Sequence, residues 1–331
     1  MRHAASLARG VRRPLAIIAL MALVAPITTL AAQVPSSKEP QLFAEGIVST
    51  SDDEFGGSLT PNGDTMYFSK SAPHSYRYSM LESHKVKGGA WSTPTMLPFS
   101  GRYTDSDPTL SPDGTKMFWT SDRPVNGEVK HDYDLWMVER TSAGSWGAPQ
   151  HLPEPINSNE SEFAASMTRG GTLYFSSARD GGIQAFRSHL DNGVWTKPEN
   201  VTRLIEHGDT ATVYDLDVMI DPDERFLLLG SVRRDGFGNF DLYIAWNDHG
   251  KWTHAVHLPA PFNTRARDYA PHLSPDGHTL LFSSERGFAL DPIEHRLDYR
   301  ELTSHLRSTL NGSGNVYVLS ADALDAFRPA P

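Results

Sequence analysis

The sequence predicts an all-β fold: a single β-propeller of four-stranded antiparallel blades, five by count with six as the alternative, closed by an N-terminal strand. Three observations predict it. A turn motif recurs five times, and each copy is followed by the same succession of short apolar strands. The last copy lacks one strand, which the N-terminal part of the chain can supply.

The turns are Thr60-Pro61-Asn62-Gly63, Ser111-Pro112-Asp113-Gly114, Thr168-Arg169-Gly170-Gly171, Asp221-Pro222-Asp223-Glu224 and Ser274-Pro275-Asp276-Gly277. Their mean spacing is about 53 residues, a period in the range of propeller blades. Proline presets φ near the turn value, and Asn-Gly or Asp-Gly accepts positive φ, so the motif is a hairpin loop. The third copy lacks the proline and the fourth lacks the glycine.

A strand follows each turn: Met66-Tyr67-Phe68, Met117-Phe118-Trp119, Leu173-Tyr174-Phe175, Leu227-Leu228-Leu229 and Leu280-Leu281-Phe282. A third strand is clear at Asp134–Val138, Asp241–Ile244 and Asn315–Val318, weaker at Gln184–Phe186 and poorest in the first copy. A tryptophan then opens the last strand, as Trp91-Ser-Thr-Pro94, Trp146-Gly-Ala-Pro149, Trp195-Thr-Lys-Pro198 and Trp252 without the proline. The fifth copy ends after its third strand. Gln41–Ala44 lies where a fourth strand would precede the first repeat, so it is expected to complete the last blade and remove the open seam. An insertion at about 290–311 interrupts the fifth blade, where Leu302, Leu306 and Leu310 share one face of a possible amphipathic helix.

Residues 1–33 read as a signal peptide. Arg2, Arg9, Arg12 and Arg13 precede an apolar run from Pro14 to Leu30, and small residues near 31–33 suit cleavage. The expected mature chain, 34–331, is exported, periplasmic or secreted, with no further stretch apolar enough to insert stably in a membrane. Cleavage leaves 26 basic and 40 acidic residues, a net charge of −14. That balance argues against nucleic acid. The absence of cysteine excludes disulfides, thiolate metal sites and a cysteine nucleophile. The 14 histidines show no metal-ligand spacing, and no cofactor is implied.

Two sets of charged residues keep the repeat period. Glu54, Asp105, Glu162, Asp215 and Asp268 each open an innermost strand. Arg123, Arg179, Arg233 and Arg286 end the strand that returns, with Lys70 or Arg77 as substitutes in the first copy. Propeller geometry predicts a polar ring of these residues at one mouth of the channel. It serves either as paired charges that hold the blades together or as a binding site. Departures from the repeat are the sharper candidates. Small residues dominate the channel face of the innermost strands, and against them Asp107, Asp217 and His272 stand out as possible ligand contacts. Asp107 and Asp217 are also the candidates for a general acid and base, should the protein be catalytic.

The succession Ser-Pro-Asp-Gly, apolar strand, Ser-x-x-Arg, Asp-Leu-Tyr resembles the WD40-like repeat of TolB-type β-propellers over nearly all of the mature chain. The resemblance implies the fold and export. It also implies an interaction platform, since propellers of this repeat type mostly serve as such. Some flank a serine peptidase, but no Gly-x-Ser-x-Gly elbow occurs here. The expected function is therefore a non-catalytic, monomeric platform for a protein or peptide partner in the cell envelope. The alternative is a carbohydrate-active enzyme, or a small-ligand or cation-binding propeller, that uses channel carboxylates.

Overall fold

A computed structural model describes residues 39–329 apart from 73, 74, 76, 207–212, 238, 289 and 291, so the predicted signal segment lies outside the described residues. The five turns fold back five pairs of strands, and each pair grows into a blade. The inner strands are Asp53–Leu59, Asp105–Leu110, Glu162–Met167, Tyr214–Ile220 and Asp268–Leu273. The second strands are Thr65–Ser71, Lys116–Ser121, Leu173–Ser177, Phe226–Val232 and Thr279–Ser284. The third strands are Ser79–His84, Asp134–Glu139, Gln184–Ser188, Asp241–Asp248 and Asn315–Ser320. All pairings within a blade are antiparallel. Each inner strand contacts the next, and the fifth contacts the first, which closes the ring.

The outer strands are short: Thr95–Met96, Gln150–His151, Glu199–Asn200 and Val256–His257. In the first three blades they begin after the proline of Trp-x-x-Pro rather than at the tryptophan. The tryptophans lie on the preceding turn-back, where Trp91 bridges to Lys85 and Trp146 to Arg140. Proline has no N–H, which breaks the ladder between the two. The outer strand of the fifth blade is Gln41–Leu42, with Gln41 opposite Val318 and Leu42 opposite Tyr317. The N-terminal strand thus seals the last blade.

The side-chain period of two divides each apolar strand between two interfaces. Met117 and Trp119 pack toward the first blade with Tyr67 and Met80, while Phe118 packs toward the third with Leu173 and Phe175. One buried cluster fills each of the five blade interfaces. The tryptophans continue these contacts outward, Trp146 against Tyr67 at 6.0 Å and Trp252 against Tyr174 at 6.4 Å.

A polar pin fixes each passage from one blade to the next. Ser49, Ser100, Asn157, Thr202 and Asn263 sit on the connections and bond to the third strand just left behind. Asn157 accepts Leu135 N–H at 2.8 Å and donates to the carbonyls of Leu135 and Leu152. Asn263 repeats this on Leu242 and Leu258. The hydroxyls of Ser49, Ser100 and Thr202 accept from Val316, Met80 and Ala185 N–H.

The insertion in the fifth blade holds a helix of eight residues, Tyr299–Leu306, with a capping box between Asp298 and Glu301. It is shorter than the expected 290–311. Leu310 lies beyond it, and no residue of the helix is buried. The apolar face is too narrow to bury anything against the blade, and Gly312 then returns the chain with φ +97°.

Asn157→Ala leaves the Leu135 N–H and the Leu152 carbonyl without the partner Asn157 gives them, each worth roughly 1–3 kcal/mol. Equilibrium urea unfolding of this variant is expected to show a loss of about 2–4 kcal/mol. A loss below about 0.5 kcal/mol would remove the pin from the account of the fold.

Candidate functional site

The nine periodic charges occupy five separate buried joints. Each acid is fully buried. Asp105 accepts from Ser121 Oγ at 2.7 Å and pairs with Arg123 at 2.6 Å. The same trio recurs as Glu162–Ser177–Arg179, Asp215–Ser231–Arg233 and Asp268–Ser284–Arg286, with ion pairs of 3.1, 2.7 and 2.8 Å. In the first blade Lys70 takes the place of both partners, 2.7 Å from Glu54. Arg77 instead donates to Arg102 O at the surface.

Each joint also grips the incoming connection. Thr50, Ser158 and Thr264 donate their N–H groups to Glu54, Glu162 and Asp268. The hydroxyls of Ser100 and Thr202 donate to Asp105 and Asp215. The arginines reach back to connection carbonyls, Arg123 to Phe99 O and Arg286 to Pro261 O and Phe262 O. Arg233 pairs with Glu206 instead. The guanidinium planes lie over blade aromatics, Arg286 over Phe282 and Tyr317 and Arg179 over Phe175 and Phe186. With every charge paired inside its own joint, none of the nine lines the channel cavity.

The channel face is built by a bulge. Every inner strand carries one extra residue, two places after its acid or just before it. In four blades a left-handed residue sits there: Gly56, Asp107, Ala164 and Ala270, with φ +59°, +57°, +43° and +46°. Bulges re-aim side chains, and these turn the strand toward the channel. A non-glycine residue held at positive φ stores strain, which an aspartate tolerates better than most.

Asp107 and Asp217 both line a cavity of about 240 Å³ at the mouth where the inner strands begin. Its walls are Phe55, Phe163, Leu216 and Tyr269, each the residue after an acid, together with Tyr78, Tyr133 and Tyr214. The rings pack on one another, Phe55 on Tyr78 at 5.1 Å and Tyr133 on Phe163 at 5.6 Å. Arg267 is the one cationic side chain in the lining, lying over Tyr269 at 4.1 Å.

His272 does not join the two carboxylates. It crosses the channel from the fifth blade to the second, where Nε2 meets Thr109 Oγ1 at 2.9 Å. Its Nδ1 lies 3.2 Å from Ala270 O. A carbonyl only accepts, so Nδ1 carries the proton and Nε2 accepts from the threonine. Burial lowers the His272 pKa to about 4, which keeps the ring neutral at pH 7. His272 and Thr109 line a second, much smaller space of about 10 Å³, apart from the cavity that holds the carboxylates.

Burial raises the Asp107 pKa to about 7, with the Asp217 charge adding to it, and burial also raises Asp217. Both shifts favour the protonated carboxyl. Sequence reasoning missed the aromatic walls because it followed the alternate positions of the inner strand. The signal was the residue directly after each acid, aromatic in three of five copies. Among the described residues no three His, Asp or Glu side chains gather as a metal site requires.

Removing one member of a buried ion pair costs roughly 3–5 kcal/mol, so Arg123→Met is expected to show that loss on denaturant unfolding. An unchanged midpoint would take the joint out of the stability account. Asp107 binds its proton more tightly in the folded state than in the unfolded one. Its stabilising contribution is complete below about pH 4 and lost as pH rises through about 7. Asp107→Asn should therefore raise Tm relative to the parent at pH 8 and much less at pH 4. Equal differences at both pH values would place the titration elsewhere.

No protein-family model matches the sequence, and no curated protein matches it. Solved structures do. BT0996, solved as an RGII complex, is 10% identical, with a TM-score of 0.50 over 87% of this protein and 91% of that one. An alpha-L-arabinofuranosidase from Lactobacillus brevis is 15% identical, with a TM-score of 0.49 over 83% and 91%. TolB from Acinetobacter baumannii is 17% identical, with a TM-score of 0.45 over 81% of this protein, which spans only 54% of that TolB. At such identities the likeness is one of fold. By its five four-stranded blades the protein is a β-propeller, and its repeat resembles that of TolB-type propellers.

Proposed function

We propose that this is an exported β-propeller that binds, without catalysis, the end of a protein or peptide partner in the channel-mouth cavity. The observation that carries the reading is the cavity itself. It is the place where the repeat is broken, with aromatic walls and two carboxylates. Walls of this kind give contact area, and a few converging polar groups give orientation. The periodic charges are consumed in joints, so the ring is rigid and needs no ligand to hold it. The acidic balance of the sequence favours basic partners. Export rests on the basic and apolar N-terminal segment, and no helix among the described residues is long and apolar enough to cross a membrane.

One observation favours a second reading. Two carboxyls in one cavity, the Asp107 pKa raised to about 7 by burial and the Asp217 charge, are the groups a general acid and base would need. A glycoside-processing enzyme would use such a pair.

Three measurements test these readings. Sequencing of the mature N-terminus after expression with its own leader should find it near residues 32–34; an intact Met1 would end the export reading. A thermal-shift screen against peptides and oligosaccharides should find a ligand whose stabilisation is lost in Phe163→Ala, since a native-state ligand at about 100 Kd adds roughly 2.7 kcal/mol. Hits that Phe163→Ala leaves intact would move the site away from the cavity. Turnover of aryl glycosides that vanishes in Asp107→Asn would replace the binding reading with the enzymatic one.

A further inference from the structure

Asp217 departs from the repeat in a way that frees one of its oxygens. At one place on the second strand four blades carry a hydroxyl: Ser69, Thr120, Ser176 and Ser283. Three of these accept the N–H of the bulge residue in the following blade. Gly56 N–H donates to Ser283 at 3.0 Å, Asp107 N–H to Ser69 at 2.9 Å and Ala164 N–H to Thr120 at 3.2 Å. The fourth blade has Gly230 there. Asp217 Oδ2 fills the gap, 2.5 Å from where a Cβ on residue 230 would stand, and accepts Ala270 N–H at 2.9 Å.

One oxygen of Asp217 thus replaces the repeat's hydroxyl. A serine at 230 would do that work without a buried charge. The other oxygen, Oδ1, has no hydrogen-bond partner among the described residues, although Asp217 is only 6% exposed. Asp107 is arranged alike, with Oδ2 accepting from Ser106 Oγ at 2.9 Å and Oδ1 without a partner. Independently of the acids, Tyr269 lines the same cavity at 4% exposure with a hydroxyl that no described residue bonds.

We propose that the cavity binds an ammonium group, held between Asp107 and Asp217 and against the aromatic walls. The proposal rests on the cavity being the binding site and names what it takes. The two free oxygens only accept when ionised, so the ligand must donate. A hydroxyl offers one donor and no charge. An ammonium offers three donors and a charge that offsets the repulsion between the carboxylates, and aromatic faces attract it further. Arg267 forms no ion pair with either aspartate. It stacks on Tyr269 and Phe240 and lies 3.9 Å from Glu285. Asp53, also in the lining, is already engaged by Gly314 N–H and Ser71 Oγ. Among the described residues, and fully ionised, the lining has three carboxylates against one guanidinium, which favours a cation. The volume of about 240 Å³ suits the end of a chain such as an aminoalkyl group.

An ammonium favours both carboxylates ionised, so its binding expels whatever proton burial has retained on the pair. His272 is already neutral. Tyr78, Tyr214 and Tyr269 have pKa values raised by burial and stay protonated, and Arg267 stays charged. The released proton therefore comes from the aspartate pair.

The mature protein is titrated with n-butylammonium chloride, n-butanol, methyl glucoside and sodium chloride at equal concentration, by thermal shift and by calorimetry in two buffers of different ionisation enthalpy at pH 7. The expected result is stabilisation by butylammonium alone, with net proton release. Affinity should fall at least tenfold in Asp107→Asn. It should fall equally in the double variant Asp217→Gly with Gly230→Ser, which restores the hydroxyl for Ala270 N–H while removing the carboxylate. A wild-type response to butanol or methyl glucoside equal to that to butylammonium overturns the ammonium proposal and leaves the cavity as a site for neutral ligands. Undiminished butylammonium affinity in both variants overturns it as well. No response to any probe also overturns it, and the binding reading then stands or falls on the Phe163→Ala screen. If butylammonium binds, Nα-acetyl-lysine amide and glucosamine compared in the same assay decide between a peptide side chain and an amino sugar as the source.

Discussion

A buried carboxylate stays ionised in a protein interior only when hydrogen bonds and a counter-charge replace the water it has lost. This protein meets that condition five times in one way. The acid that opens the inner strand takes a serine and an arginine from its own blade in four blades and a lysine in the first, with backbone or hydroxyl donors from the connection that enters it. The joint fixes three things together: the start of the inner strand, the end of the second strand and the path of the connection. Strand register, the stacking of aromatics under the guanidinium and the closure of the ring all depend on it. Lys70 shows that the chemistry matters more than the residue type, since one ammonium in the first blade does the work of a serine and an arginine.

With the periodic charges consumed in this way, function is left to the exceptions. Asp107 holds a left-handed bulge position that Gly56, Ala164 and Ala270 fill elsewhere with little or no side chain. Asp217 stands over a glycine where its neighbours carry hydroxyls. His272 spans the channel where serines in other blades cap an adjacent N–H, as Ser58 does for Leu110 and Ser166 for Ile220. These three residues come from three blades and break the symmetry of the channel. The strain and desolvation they carry are borne by a ring whose stability lies in the apolar interfaces and the joints.

The fold was legible in the sequence because its determinants are local and repeated. Pro-Asp-Gly turns, apolar triplets and the missing fourth strand of the last copy each point to one arrangement, and the structure has it. The fourth turn shows how a departure is absorbed. Glu224 adopts φ +58° without being glycine and uses its carboxylate to reach Tyr174 and Arg187 of the third blade. The spacing of the acids and arginines was legible too, but not their depth. Periodicity says that residues are equivalent and not whether they face a channel or a joint. The deciding partners, Ser121 or Thr264 for example, are too common in sequence to be noticed. The cavity walls were hidden for a related reason. A bulge shifts the face of a strand by one residue, so strict alternation counted Asp107 correctly and passed over Phe55, Phe163 and Tyr269. The helix was overestimated because leucine spacing alone ignores that an exposed eight-residue segment is fixed by its capping box and ends where packing fails to extend it.

Because each joint draws donors both from the preceding connection and from the second strand beyond the turn, the sequence repeat and the mechanical module are out of phase. A single repeat cut from this protein at its turn motif would carry a serine and an arginine without their acid, and an acid with its incoming clasp but without its serine and arginine, so it would hold two half-joints and no whole one. A circular permutant opened at one of the hairpin turns, with Gln41 linked to the far end of the sequence, would keep all five. Growth or shrinkage of such a ring by whole periods re-forms every joint wherever the cut falls, because the half-joint at one end of the inserted length is completed by its neighbour.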